Sequence, residues 1–455
     1  MTLENAQDCA DELPVTDNLA VARKSSGLSR NRWYIVTILA LATLLSYLDR
    51  GVIAVVVPSL KADLNLSDLQ IGLLQGISFS LFFALAGIPM GTLADRVNRR
   101  NLIVIGLVLW SLMTMLCGFA SNFAMLFAAR MGVGIGEAAL IPAAASMIAD
   151  LFVPSQRGRP MSAIVAAQSL GGAGASVLGG MLLVYLASTS PISLPFIGEA
   201  ADWRITFIVF GLPGPIVAVM LASIKEPERA LLRSQSEGNF VRFLGAHWFL
   251  FLCVYLSFAA NFVIAYATAL WSPTVLSRVY GLTPGQAGIA FGLTMIVANL
   301  SGSTLGGVIG DRLASRALPA VRFHMSMAVA PLAAVGGLVM FLAPSAAIFL
   351  VGFAFAGFAA GVLIGNSYPL LYDIVPSSMR GRAAAVYMIV GNIIGLGGGP
   401  LAVALLTEMV FDDPMLIGAS VGLVVMASGV TCLSFLLLVR RAYGQLSEEA
   451  AGETA

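Results

Sequence analysis

A helix that crosses a bilayer needs about 20 consecutive apolar residues, and this chain supplies twelve such stretches. They run roughly over 33–58, 68–92, 101–119, 122–149, 157–187, 203–224, 246–275, 285–309, 322–342, 345–371, 380–406 and 414–439. Hydrophobic residues make up 58% of the 455, and charged residues only 11%, against roughly 25% in an ordinary soluble domain. That balance excludes a soluble enzyme and a disordered chain. A net charge of +1 leaves no basic field to attract a nucleic acid. The four cysteines, Cys9, Cys117, Cys253 and Cys432, lie far apart and have no metal-ligand spacing. With only His247 and His324 present, neither a zinc enzyme nor a histidine triad is expected. The expected fold is all-α: twelve transmembrane helices in two pseudo-symmetric six-helix bundles.

An even number of spans puts both termini on one side. Lysine and arginine choose the side, because they concentrate in cytoplasmic loops. Of the 25 such residues, 20 fall in the two tails and in the loops after spans 2, 4, 6, 8 and 10. Only Lys61, Arg204 and Arg278 fall on the other face, while Arg50 and Arg130 lie within spans. Both termini are therefore expected in the cytoplasm. The N-terminal stretch shows no signal-peptide pattern and reads as a disordered tail over 1–32. The remaining divisions expected are a bundle over 33–224, a cytoplasmic linker over 225–245, a second bundle over 246–440 and a tail over 441–455.

The two sets of six spans resemble each other. Leu66-Ser67-Asp68-Leu69-Gln70-Ile71-Gly72 matches Leu282-Thr283-Pro284-Gly285-Gln286-Ala287-Gly288, and the same offset of 216 carries Gly76 to Gly292, Gly91 to Gly307, Asp95 to Asp311 and Arg96 to Arg312. Pro154-Ser155-Gln156-Arg157-Gly158-Arg159 matches Pro376-Ser377-Ser378-Met379-Arg380-Gly381-Arg382 with one insertion. A duplicated six-helix unit is the layout of a transporter whose cavity lies between the halves.

These motifs carry a family resemblance. Gly91-Thr92-Leu93-Ala94-Asp95-Arg96-Val97-Asn98-Arg99-Arg100 resembles the signature loop of the major facilitator superfamily. Three stretches resemble the Spinster family of lipid transporters within it: Tyr47-Leu48-Asp49-Arg50, Asp95-Arg96-Val97-Asn98-Arg99, and Gly134-Ile135-Gly136-Glu137-Ala138 followed by Asp150-Leu151-Phe152. The short loops look bacterial, which implies an inner (plasma) membrane protein. The resemblance implies a monomer that works by alternating access, with protons as the coupling ion and no cofactor or metal.

Ionisable groups at membrane depth are costly and by default functional. Here they are Asp49, Arg50, Arg130 and Glu137. At 1.5 Å per residue, Asp49 lies about 24 Å from the cytoplasmic edge, and Glu137 lies about 22 Å in from the opposite one. Arg130 and Glu137 are seven residues apart and share a face of the fourth span. Asp49 and Arg50 point about 100° apart. We expect Asp49 to pair with Arg130 and Arg50 to reach the cavity. Glu137, nearer the midplane, is the better proton carrier, and Asp49 is a second. In the Spinster family the matching groups of spans 1 and 4 are implicated in such coupling. The competing reading is a static buried salt bridge that sets helix register. Against it, Asp49 maps to Ala265 and Glu137 to about Ala360 in the second half, so the charge belongs to one half alone.

The resemblance implies a cytoplasmic gate built on Asp95, facing the start of span 11 near Arg382. Arg96, Arg99, Arg100 and Asp150 would join the halves around it, and Asp311 would act likewise toward span 5. Cavity candidates are Tyr47, Gln75, Phe79 and Gln168 in the first half, with Asn261, Tyr266, Asn299, Asn366, Tyr368, Tyr387 and Asn392 in the second. One arginine in an otherwise apolar cavity suits an amphiphile, with its headgroup at the charge and its tail among apolar side chains. A lysolipid or sphingoid-like substrate is therefore expected. Hydrophobic drugs or organic anions are the alternative, and a non-transporting sensor is a third reading. No phosphate loop is visible. Gly132-Val133-Gly134-Ile135-Gly136 lies inside a span with no preceding strand, so it is not a nucleotide site.

Overall fold

The computed structural model describes residues 15–153, 156–189, 193–194, 198–229, 240–314, 320–376 and 379–452, with side chains from 32 to 447. Twelve helices among them are long and apolar enough to cross a membrane. In the N-terminal half these are α1 (Arg32–Leu64), α2 (Asp68–Arg96), α3 (Arg99–Cys117), α4 (Phe123–Leu151), α5 (Gly158–Ala187) and α6 (Asp202–Ala222). The C-terminal half has α7 (Trp248–Arg278), α8 (Pro284–Leu313), α9 (Val321–Phe341), α10 (Ala346–Asp373), α11 (Arg380–Val410) and α12 (Pro414–Ser447). A two-residue ladder, β1 (Ser193–Leu194) against β2 (Gly198–Glu199), decorates the loop before α6. The all-α, twelve-span expectation holds, and the spans fall within a few residues of those read from hydropathy.

The chain ends differ from expectation. Helix continues back from α1 to Val15, so residues 15–32 are helical rather than disordered, while 1–14 lie outside the described residues. The stretch Val15–Arg32 contains no proline, and nothing in it stops a helix already formed downstream. At the other end helix runs on to Gly452, past the expected boundary at 440. Within the linker, Phe240–Ala246 is a short helix, and 230–239 are not among the described residues.

The duplication reaches individual hydrogen bonds. Ser67 and Gln70 form a capping box at the start of α2, with bonds of 3.0 and 3.2 Å. Their partners in the repeat, Thr283 and Gln286, form the same box before α8, at 3.1 and 3.3 Å. The turns before these boxes each need one left-handed residue. Asn65 (φ 50°) supplies it in the first half and Gly281 (φ 72°) in the second, again 216 apart. Arg157 reaches back to the carbonyls of Phe152 and Ala149 at 3.0 and 2.7 Å. Arg380 does the same to Val375 and Tyr372 at 3.2 and 3.0 Å.

The halves meet at the face opposite the chain ends, called distal below. There α2 packs on α11 and α5 on α8, glycine against backbone. A methyl group placed on Gly76 would lie 2.7 Å from the Gly397 carbonyl, and one on Gly288 would lie 2.7 Å from that of Ser176. Polar bonds cross at the same level. Gln75 donates across to the Leu270 carbonyl at 2.8 Å, and within the C-terminal half Trp271 donates to that of Pro400 at 2.9 Å. The buried Asp68 carboxylate holds Lys61 at 2.7 Å and both terminal nitrogens of Arg278 at 2.7 and 2.8 Å. At the proximal face, which carries the chain ends, four glycines of the same helices make no such contact. Methyl groups built on Gly91 of α2 and Gly381 of α11, or on Gly158 of α5 and Gly307 of α8, would meet nothing within 4 Å among the described residues. Close glycine contacts thus shut the distal face, and these proximal glycines have none.

Overpacking a close helix contact costs about 1–3 kcal/mol. Gly76→Val should therefore lengthen the distance between spin labels on the distal ends of α2 and α11. An unchanged distance distribution would show that the glycine contact does not hold that face shut.

Candidate functional site

Where the closed distal half gives way to the open proximal half, four charged side chains lie buried in the N-terminal bundle. Asp49 and Arg50 come from α1, Arg130 and Glu137 from α4, and none is more than 7% exposed. Arg50 Nε donates to Glu137 Oε2 at 2.6 Å, and Ser46 Oγ, one turn earlier on α1, donates to the same oxygen at 2.7 Å. The regular helix of α4 stops at Glu137 and resumes at Leu140, so the carboxylate stands at a break in its own span. Rings enclose the guanidinium, whose central carbon lies 4.6 Å from the ring centre of Tyr47 and 4.7 Å from those of Phe79 and Phe83. Aromatic faces stabilise a desolvated cation. Tyr266 of α7 stands within electrostatic reach of Arg50 from the opposite half.

The expected pairing of Asp49 with Arg130 is not what forms. Asp49 Oδ2 accepts from Thr114 Oγ1 on α3 at 3.3 Å, and Arg130 Nη1 donates to the main-chain carbonyl of Asp49 at 3.2 Å. Nor does Arg50 reach freely into the cavity, because Glu137 holds it. The turn of about 100° between adjacent helical residues explains both corrections. α1 directs Arg50, not Asp49, toward α4. Three atoms of this cluster, Asp49 Oδ1, Arg130 Nε and Glu137 Oε1, are buried with no hydrogen-bond partner among the described residues.

The facing wall comes from the C-terminal half and is aromatic. Tyr387 meets Phe258 and Phe262 edge-on at 5.6 Å and Tyr368 at 5.2 Å. Phe262 in turn lies 6.1 Å from Tyr266. Tyr47 interacts electrostatically with Tyr266, Tyr368 and Tyr387, which places it across the cleft from them. Several other candidates serve packing. Gln75 belongs to the distal closure, and Asn261 is buried, donating to the Ala360 carbonyl at 3.4 Å. Asn366 and Asn392 are buried, while Gln168 and Asn299 are half-buried.

The expected charge network across the proximal face is not assembled. Asp95 and Arg96 are exposed and make no ion pair among the described residues. Arg99 pairs with Asp150, but both belong to the N-terminal half. Asp311 pairs with Arg322 of its own half at 2.9 Å rather than turning toward α5. Sequence reasoning also missed the strap that follows α6. Glu226 Oε1 accepts from the main-chain nitrogen and Nε of Arg99 at 3.1 and 2.9 Å. Arg229 caps the end of α2 by donating to the carbonyls of Ala94, Asp95 and Val97. An acid immediately after an apolar span was the available signal.

Comparison with known proteins agrees with this geometry. The pattern of the Major Facilitator Superfamily matches residues 39–400. An MFS-type efflux pump of Mycolicibacterium smegmatis is 29% identical, over 84% of this chain and 86% of its own. Protein spinster homolog 1 of Xenopus tropicalis is also 29% identical, over 85% of this chain and 75% of its own. A crystal structure of a bacterial homologue of the human lysosomal transporter Spinster, inward-facing and unoccupied, superposes with a TM-score of 0.73 at 26% identity, covering 92% of this chain and 97% of that one.

A carboxyl group can become neutral by taking up a proton, whereas a guanidinium cannot. Breaking a buried pair costs about 3–5 kcal/mol when a charge is left behind. Glu137→Gln should therefore lower the melting temperature of the purified protein at pH 5 far more than Arg50→Met does. Equal losses would mean that the pair is not a desolvated charge pair.

Proposed function

This chain belongs to the Major Facilitator Superfamily, and from that premise we propose that it is a proton-coupled secondary transporter of lysolipid or sphingoid-like amphiphiles, working by alternating access as a monomer. Its termini lie in the cytoplasm, and its membrane is a bacterial inner membrane. In that orientation the described state is open inward. No catalytic step is assigned to it, and the proton is its only coupling ion.

The observation that carries the reading is the Arg50–Glu137 pair of 2.6 Å, set between Tyr47, Phe79 and Phe83. An anionic headgroup can take Arg50 only if Glu137 lets go, and Glu137 lets go when it is protonated. Its unpartnered Oε1 is the atom available to receive that proton. Proton and anionic headgroup then favour each other's binding, since each removes an obstacle to the other. The aromatic wall of Phe258, Phe262 and Tyr387 offers an apolar bed for the tail. Asp49, with its own free oxygen beside Arg130, is the second proton site. Asp95, Arg96, Arg99, Asp150 and Asp311 act at the proximal gate when the halves close there. Resemblance to Spinster proteins supports the lipid class.

A second reading keeps the same pair and reverses its use. A cationic drug would displace Arg50 and take Glu137, so drug and proton would compete for one carboxylate. The relative named as an efflux pump favours this alternative. The direction of pH dependence separates the two.

The test is proton flux in liposomes. Adding an anionic lysolipid should start a proton movement in the wild type that Glu137→Gln slows by about a hundredfold, roughly the 3 kcal/mol at stake in such a pair. Asp49→Asn should also slow it. Substrate movement without protons, or unchanged flux in Glu137→Gln, would overturn the reading. If binding of a cationic amphiphile instead weakens as pH falls, the drug reading replaces it.

A further inference from the structure

The distal face contains a pocket that the transport cycle above does not use. It has a volume of about 700 Å³ and lies between the end of α1 and the end of α7. Two cations line it, Lys61 from the N-terminal half and Arg278 from the C-terminal half, and among the described residues no carboxylate does. Asp68 sits behind them, fully buried, and both its oxygens are already engaged. One carboxylate thus serves two cations, and a positive charge is left over. Lys61 has three donor hydrogens and spends one on Asp68, its side chain remaining 28% exposed.

The same wall holds two hydroxyls without partners. Thr274 Oγ1 and Ser277 Oγ are buried and make no hydrogen bond among the described residues, and Thr274 is 0% exposed. A threonine within a helix normally satisfies its hydroxyl on the preceding turn, as Thr268 does on Ile264 at 2.7 Å. A buried hydroxyl left unpaired is costly, and both residues border the pocket, with their hydroxyls turned from solvent in the described state. The rest of the lining is mostly apolar, including Pro58 and Leu282.

We propose that this pocket is a second ligand site, taking a phosphate or carboxylate headgroup against Lys61 and Arg278 with Thr274 and Ser277 donating to it. The ligand bridges cations from opposite halves, so it binds only while the distal face is shut. A ligand that binds one of two states moves the population toward that state. Occupancy therefore holds the molecule closed distally. The site is independent of what the central cavity carries.

The experiment is calorimetric titration of the purified full chain with inorganic phosphate and with a short-chain phosphatidate. Wild type should bind the phosphatidate. Lys61→Gln should weaken binding by about tenfold or more, the scale of a hydrogen bond to a charged group, and Thr274→Val by about threefold, the scale of a neutral one. Lys61→Gln leaves the Asp68–Arg278 pair in place and Thr274→Val preserves shape, so both variants should fold. In an Arg50→Met background, which removes the headgroup partner of the central cavity, Lys61→Gln and Thr274→Val should weaken binding by the same factors. Phosphate binding equally well, with the same response to the variants, would support the anion site and identify free phosphate rather than lipid as its ligand. Absence of binding by both probes, or binding unaffected by both variants in wild type and in the Arg50→Met background, would overturn the proposal.

Discussion

A charge inside a membrane protein persists only if something nearby makes its burial tolerable. In this chain Arg50 and Glu137 do that for each other. The cation also has three aromatic rings around it, and the anion has a serine hydroxyl from the same turn of α1. Such an arrangement is stable intact and costly when half broken. Anything that neutralises Glu137 releases a buried guanidinium in need of a partner. The aromatic cleft, the break in α4 and the opening toward the proximal face all converge on that point.

The rest of the architecture makes the point accessible from one side at a time. Duplicated halves share their caps, their turn residues and their loop arginines, so each behaves as a unit. Glycine faces on α2 and α11, and on α5 and α8, let backbones touch at the distal end. The proximal glycines Gly91, Gly158, Gly307 and Gly381 make no such contact among the described residues. The same four helices thus carry closing surfaces at both ends, and rocking about the middle can exchange one for the other. Lys61, Asp68 and Arg278 add charge to the distal closure. Glu226 and Arg229 brace the loop between α2 and α3 within its own half, so the signature motif moves with the N-terminal bundle.

Much of this was legible in the sequence because the bilayer enforces simple rules. Span lengths follow from hydrocarbon thickness, and the repeat shows as one offset held from Ser67 to Arg96. The four membrane charges stand out against apolar surroundings. Their pairing did not follow. Asp49 and Arg50 are neighbours in sequence, and only the rotation of α1 decides which one meets Glu137. The gate differs for another reason. Asp95, Arg99 and Asp150 belong to a signature that describes a cycle, and a single state holds only some of its contacts. Glu226 went unnoticed because its partner, the buried Arg99, lies 127 residues away, with nothing periodic to connect them.

The most direct test is infrared difference spectroscopy of the protein in lipid, recorded as an anionic lysolipid is added. If substrate binding takes Arg50 and passes a proton to Glu137, a protonated-carboxyl stretch should appear on binding, shift in heavy water, and vanish in Glu137→Gln. A substrate-induced spectrum without that band, or with the band intact in the variant, would contradict the account and leave the Arg50–Glu137 pair as a fixed part of the scaffold.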